Sequence, residues 1–253
     1  MAEFKFERRF ESTDTMKMIH FRMLCLCVVA IAVQNIACAD ETSLSQYYGF
    51  RPIEVFKLSE RSSNMLSGDL NHDGLADLVL VDNSKSRLDL LIQRKEAAKV
   101  TEKPIGRSDV NSVEDHWRFE HRKLPVDREV SAVALGDFNG DGRTDIAYFG
   151  NPDQLVIRFQ PEKGEWTEKT QQRVPDVAPT PWFLTAGDLD SNGLDDLVIL
   201  GKHETIVFYQ QVKGTLALPK KLMNTSDKLG LAQIADLDGD GKNDLCYLAG
   251  EGL

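Results

Sequence analysis

Four short apolar runs recur along the chain: Leu78 to Val81, Ile146 to Phe149, Leu197 to Leu200 and Leu245 to Leu248. Each is largely aliphatic or aromatic and is bounded by turn residues, which predicts strands covered on both faces rather than amphipathic helices. Similar runs lie just upstream at Val130 to Leu135 and Trp182 to Ala186. Further strand candidates follow downstream at Leu88 to Ile92, Leu155 to Phe159 and Thr205 to Tyr209, with a more polar one at Trp166 to Gln171. The pattern predicts units of about four strands. A four-stranded sheet that is apolar on both faces cannot bury them alone and must stack on copies of itself.

The copies are visible as a repeat: GDLNHDGLADLVLV (68–81), GDFNGDGRTDIAYF (136–149), GDLDSNGLDDLVIL (187–200) and ADLDGDGKNDLCYL (235–248). Their first aspartates are separated by 68, 51 and 48 residues, the size of a propeller blade rather than of a solenoid turn. The fold expected is all-β, a β-propeller of four-stranded blades carrying acidic loops, with about four blades and an incomplete or truncated ring. Residues 94–115, poor in apolar positions and without periodicity, read as an insertion between two strands of the first unit.

Each loop fits Asp-x-(Asn/Asp)-x-(Asp/Asn)-Gly-x-x-Asp. Several carboxylates held within nine residues repel one another and call for a compensating cation. Hard oxygen donors at alternate positions, with a backbone carbonyl at the seventh, suit Ca²⁺. The candidate ligands are Asp69, Asn71, Asp73, Leu75 and Asp77; Asp137, Asn139, Asp141, Arg143 and Asp145; Asp188, Asp190, Asn192, Leu194 and Asp196; and Asp236, Asp238, Asp240, Lys242 and Asp244. Leucine, arginine and lysine at position seven offer only their carbonyls. Up to four Ca²⁺ ions are expected, stabilising the fold rather than reacting. Mg²⁺ prefers a tighter octahedron that retains water, and Zn²⁺ prefers His or Cys, of which the loops hold only His72. The helical EF-hand does not fit, because position twelve is Leu80, Tyr148, Ile199 or Tyr247 instead of Glu. Metal-free Asx-Gly turns are the plain alternative, but a turn does not require the distant ninth-position aspartate.

Charge and export signals narrow the function. The 253 residues carry a net charge of −10, leaving no basic field for nucleic acid or anionic membranes. Residues 16–39 have a basic start, an apolar run from Met23 to Val33, and Ala-Cys-Ala before Asp40. That pattern reads as a secretory signal cleaved after Ala39, the run being too short to span a bilayer. The domains expected are an extension and signal at 1–39, an N-terminal segment at 40–62, and the repeats at 63–253. Within the second segment, Tyr47 to Leu58 could supply a ring-closing strand. Cys25, Cys27 and Cys38 leave with the signal, so the exported or periplasmic chain keeps one thiol, Cys246, read as a buried structural group.

The repeats resemble the FG-GAP/VCBS repeats of integrin-α-type β-propellers over about 63–253. The resemblance implies calcium on the outer hairpin of each blade at the positions above, and an adhesion or binding role toward extracellular protein or glycan. Integrin-type propellers usually have seven blades. The alternative reading is a secreted polysaccharide lyase or hydrolase, or a fragment of one. His116, His121 and His203, beside Asp115, Glu120 and Glu204, read as solvated surface groups, and Trp117, Trp166 and Trp182 as packing residues rather than sugar platforms. The expectation is therefore a binding protein and not an enzyme. Asn224-Thr225-Ser226 is a glycosylation sequon if the host is a eukaryote.

Overall fold

Each apolar run becomes the second strand of an antiparallel sheet, with its acidic loop leading into it. The computed structural model describes residues 58–96, 117–177, 183–211, 214–226 and 228–250. The first sheet contains β1 (Ser62–Gly68), β2 (Asp77–Asp82), β3 (Arg87–Gln93) and β4 (Phe119–Pro125), hydrogen-bonded in that order. The second repeats the order with β5 (Glu129–Gly136), β6 (Asp145–Asn151), β7 (Gln154–Arg158) and β8 (Lys169–Arg173). The third contains β9 (Leu184–Gly187), β10 (Asp196–Leu200) and β11 (Glu204–Phe208). A small hairpin, β12 (Gln210–Gln211) with β13 (Thr215–Leu216), then precedes its fourth strand, β14 (Lys220–Met223). A two-stranded sheet of β15 (Leu229–Ala235) and β16 (Asp244–Ala249) completes the described residues.

Stacking explains why the second strands are apolar without alternation. Side chains alternate between the faces of a strand, and here both faces are covered. On β6, Ile146 and Tyr148 enter a core shared with Val79, Val81, Leu88 and Leu90 of the first sheet. Ala147 and Phe149, on the opposite face, join Leu197, Ile199, Ile206 and Phe208 of the third. Phe183 and Leu200 pack in turn on Ala232, with Leu229 and Tyr247 beside them. The first strands of successive sheets touch, β1 with β5, β5 with β9 and β9 with β15. Asn83 adds a polar clamp between the first two sheets. Its Oδ1 accepts the Val130 N–H and its Nδ2 donates to the Val130 carbonyl, both at 2.8 Å.

The architecture is thus all-β, with blade-like four-stranded sheets, and no closed ring lies among the described residues. The signal segment, residues 97–115 of the 94–115 insertion and most of the Tyr47 to Leu58 segment lie outside the described residues, as do His116 and Trp182. Four sequence expectations change. The polar strand of the second sheet is Lys169–Arg173, shifted from Trp166 to Gln171. Its side chains are all exposed, so no periodicity marked its bounds, while Trp166 is buried in the first inter-sheet core. Trp117 is not a packing residue: it is exposed, with the Arg118 guanidinium 4.9 Å from its ring centroid. Cys246 is half-buried instead of buried, because β16 pairs only with β15 among the described strands. His121 is not a solvated group. Its side chain is 4% exposed, and Nε2 lies 2.8 Å from Oδ1 of buried Asp89, which also meets Arg87 Nε at 2.7 Å. His203 is exposed, as expected.

Candidate metal centres in the repeat loops

The four loops share one backbone design, set by the chemistry of three positions. Position six is glycine with φ of +83° at Gly74, +81° at Gly142, +83° at Gly193 and +84° at Gly241, a left-handed turn that a Cβ disfavours. Position four is left-handed as well, and there His72 (φ 56°) and Ser191 (φ 60°) stand where Gly140 and Gly239 occupy the other loops. The first-position carboxylate caps the turn by accepting the position-six N–H. The distances are 2.8 Å for Gly74 to Asp69, 2.6 Å for Gly142 to Asp137, 2.8 Å for Gly193 to Asp188 and 3.0 Å for Gly241 to Asp236.

Positions five and seven are tied in the same repeating way. The N–H groups of Leu75, Arg143, Leu194 and Lys242 donate to Oδ1 of Asp73, Asp141, Asn192 and Asp240, at 2.8 to 2.9 Å. The ninth-position aspartate closes the loop onto the sheet. Asp77 accepts from the N–H of Leu70 and Gln93, Asp145 from Phe138 and Gln160, and Asp196 from Leu189 and Gln210. Asp244 accepts from Leu237 at 3.3 Å. A turn needs no such distant carboxylate, so this bond is what makes the nine residues a single unit.

Convergence of carboxylates differs among the loops. In the third, one oxygen each of Asp188, Asp190 and Asp196 lies within 4.8 Å of the others, and in the fourth Asp236, Asp238 and Asp244 do the same. Both clusters could hold a metal ion. In the first two loops position three is asparagine, and its amide donates to the fifth-position carboxylate, Asn71 to Asp73 at 3.1 Å and Asn139 to Asp141 at 2.9 Å. Arg143 contributes more than its carbonyl: Nη2 lies 2.6 Å from Asp141 Oδ2, so the second loop carries its own counter-cation.

The electrostatics favour a cation at the ninth position. Asp77, Asp145 and Asp196 are 0% exposed. Burial pushes the Asp145 carboxyl up to about 7, against the N–H donors of Gln160 and Phe138, and the charges of Asp141 and Asp137 add to the rise. Burial also raises Asp77 and Asp196. At Asp69, burial works upward but is outweighed by N–H donors, chiefly from Gly74 and Asp73, and the carboxyl falls below its usual value. Asp69 is thus prepared as an anion, while Asp77, Asp145 and Asp196 resist ionisation until a cation neutralises them. Oxygen-only donors with that balance match a hard divalent ion.

Sequence reading missed a set of residues that join one loop to the next. Asp195, at position eight of the third loop, accepts the Asp137 N–H at 2.8 Å. Asn243, at position eight of the fourth, donates to the Asp188 carbonyl at 2.8 Å. Gln160 donates to the Asp69 carbonyl at 3.2 Å. The recurring glycine before position one belongs to the same contacts. A Cβ on Gly68 would meet Leu135 at 3.0 Å, one on Gly136 would meet Asp195 at 3.0 Å, and one on Gly187 would meet Ile234 at 3.1 Å. Ala235 replaces this glycine in the fourth repeat, where no following sheet is among the described residues. Glutamine recurring at or just after the end of the third strands, at Gln93, Gln160 and Gln210, was the available signal for Gln160.

A family model for the FG-GAP-like repeat matches residues 137–199 and 188–247. No curated protein sequence matches the chain. Among solved structures, the Photorhabdus luminescens Tc holotoxin pore is similar at 18% identity with a TM-score of 0.44, covering 73% of this chain and 8% of that one. The chain therefore spans less than a tenth of that protein's length. No helix among the described residues is long and apolar enough to cross a membrane. Two overlapping matches to one family model thus place FG-GAP-like repeats over residues 137–247, on sheets whose loops share a single hydrogen-bond pattern.

Proposed function

We propose that the protein is an exported, calcium-stabilised β-propeller module that binds extracellular or periplasmic protein or glycan without catalysing a reaction. The observation that carries this reading is the convergence of three carboxylates in each of the third and fourth loops. Asp188, Asp190, Asn192 and Asp196 would hold one ion, and Asp236, Asp238, Asp240 and Asp244 another. In the first two loops an ion would replace protein donors at Asp73 and Asp141. A bound Ca²⁺ supplies charge neutralisation, and because the loops exist only in the folded chain, its binding stabilises the native state.

Calcium suits the donor set better than zinc, since every side chain that converges is an oxygen donor. The repeat architecture, in which stacked sheets present loops on a rigid scaffold, supports the binding role. The enzymatic alternative needs an accessible acid and base. His121 and Asp89 do meet, but both side chains are about 95% buried and Arg87 occupies the same carboxylate. Equilibrium dialysis against millimolar Ca²⁺, with melting curves in EDTA and in calcium, tests the metal reading: bound ion and a raised melting temperature are expected. A glycan array run beside a lyase assay on acidic polysaccharides tests the rest. Turnover without saturable binding would overturn the non-enzymatic assignment.

A further inference from the structure

The first ligand position of each of the first three loops is gripped by a side chain from the repeat that follows. Asp195 Oδ2 takes the Asp137 N–H, Asn243 Nδ2 reaches the Asp188 carbonyl, and Gln160 Nε2 reaches the Asp69 carbonyl. The chemistry of the three links differs, yet each ends on the main chain of position one. Their other ends are anchored at position nine. Asp195 and Asn243 stand one peptide bond before the carboxylates of Asp196 and Asp244, and the Gln160 N–H is held by Asp145 Oδ1 at 2.8 Å.

We propose that the loops load calcium cooperatively, with Asp195 and Asn243 as positioning residues that carry the effect of an ion in one loop to the first ligand of the loop before it. This rests on the calcium reading above. An ion drawing on Asp196 holds the backbone at 195–196, and through it the Asp195 carboxylate against the Asp137 N–H. The direction from which Asp137 offers its own carboxylate is then already set when the second loop binds. Coupling of this kind is reciprocal, so loading the second loop tightens the third by the same factor.

The sign of the effect separates it from plain electrostatics. Two cations in neighbouring loops repel one another, weakly at physiological ionic strength, so charge alone gives anticooperative loading. The hydrogen-bonded link gives the opposite. Position eight of the second loop provides a natural contrast: the methyl group of Thr144 lies 3.3 Å from where a Cβ on Gly68 would sit, and a threonine methyl can form no hydrogen bond to the loop before it.

The test is a calcium titration of the full chain followed by backbone amide NMR, with Gly74, Gly142 and Gly193 reporting on the first three loops. Asp190→Ala disables the third loop at an exposed position. It is expected to weaken the second loop about fivefold, the low end of measured site-to-site couplings. Asp195→Ala should weaken the second loop by a similar factor and abolish any further effect of Asp190→Ala. Asp195→Asn keeps an acceptor oxygen and should restore the coupling, while Thr144→Ala should leave the Gly74 midpoint unchanged. A Gly142 midpoint that is unmoved or tightened by Asp190→Ala overturns the proposal, as does coupling that persists in full in Asp195→Ala. If no amide in the wild-type chain responds to calcium, the calcium reading itself fails.

Discussion

Asp145 makes the metal-free protein less stable as the pH rises from 5 to about 7. Its carboxyl is buried behind the second loop, which lifts its pKa from 3.8 to about 7. Within that window the folded chain retains a proton that the unfolded chain has released. Stability contributed by such a group therefore falls with rising pH and levels off above the folded value. Three pKa units correspond to about 4 kcal/mol in a fully dry site. Water around the half-buried Asp137 and the exposed Asp141 screens part of this, and about 2 kcal/mol is the working magnitude. For a chain of this length that is a fall in melting temperature of about 4–8 °C. Asp77 and Asp196, also raised by burial, act in the same direction. The carboxyls of Asp69, Asp82 and Asp127 lie below their usual value, so their stabilisation is already complete above pH 5 and does not mask the trend. The assay is a series of thermal melts by circular dichroism in EDTA, in half-unit steps from pH 5 to 8. Asp145→Asn should flatten the slope by its share. A melting temperature that is flat or rises between pH 5 and 7, or an Asp145→Asn variant with the full slope, refutes the reasoning. In saturating calcium the slope should reverse, because the ion and the proton compete for the same carboxylate.

Three other outcomes follow from single contacts. Asn83→Ala removes both bonds to Val130, a residue 2% exposed, and should cost about 2–4 kcal/mol in urea unfolding, since buried backbone groups lose their partners. A loss below about 0.5 kcal/mol would show that the clamp adds nothing beyond ordinary surface contacts. His72→Gly and Ser191→Gly place glycine at left-handed positions and should each stabilise by about 1 kcal/mol; a lower melting temperature for both would contradict the loop geometry. Arg143→Gln removes the cation paired with Asp141 and should tighten calcium binding in the second loop about two- to fivefold, as judged by calorimetry, the modest size reflecting a partly exposed ion pair.

The loop design was legible in the chain because its determinants are local. Glycine at position six, aspartate at positions one and nine, and the apolar run beyond them act within nine to fourteen residues, where turn chemistry and side-chain alternation operate directly. The runs at Leu78 to Val81, Ile146 to Phe149 and Leu197 to Leu200 lie inside β2, β6 and β10 for that reason. The edge strand β8 was misplaced because an exposed strand of Lys, Thr, Gln and Arg carries no burial pattern. His121 was misread because nothing near it in the chain reveals Asp89, its partner across 32 residues.

The sequence by itself determined that this chain repeats a carboxylate-rich loop ahead of a doubly covered strand, and so that its sheets must stack. Only the tertiary structure decided which carboxylates converge, and that Asp195, Asn243 and Gln160 bind the first position of another repeat's loop, 58, 55 and 91 residues distant. Sheet stacking brings those residues together. The glycines at 68, 136 and 187 then become intelligible as points where a Cβ would press within 3.0–3.1 Å of a side chain of the next sheet, which would have to give way.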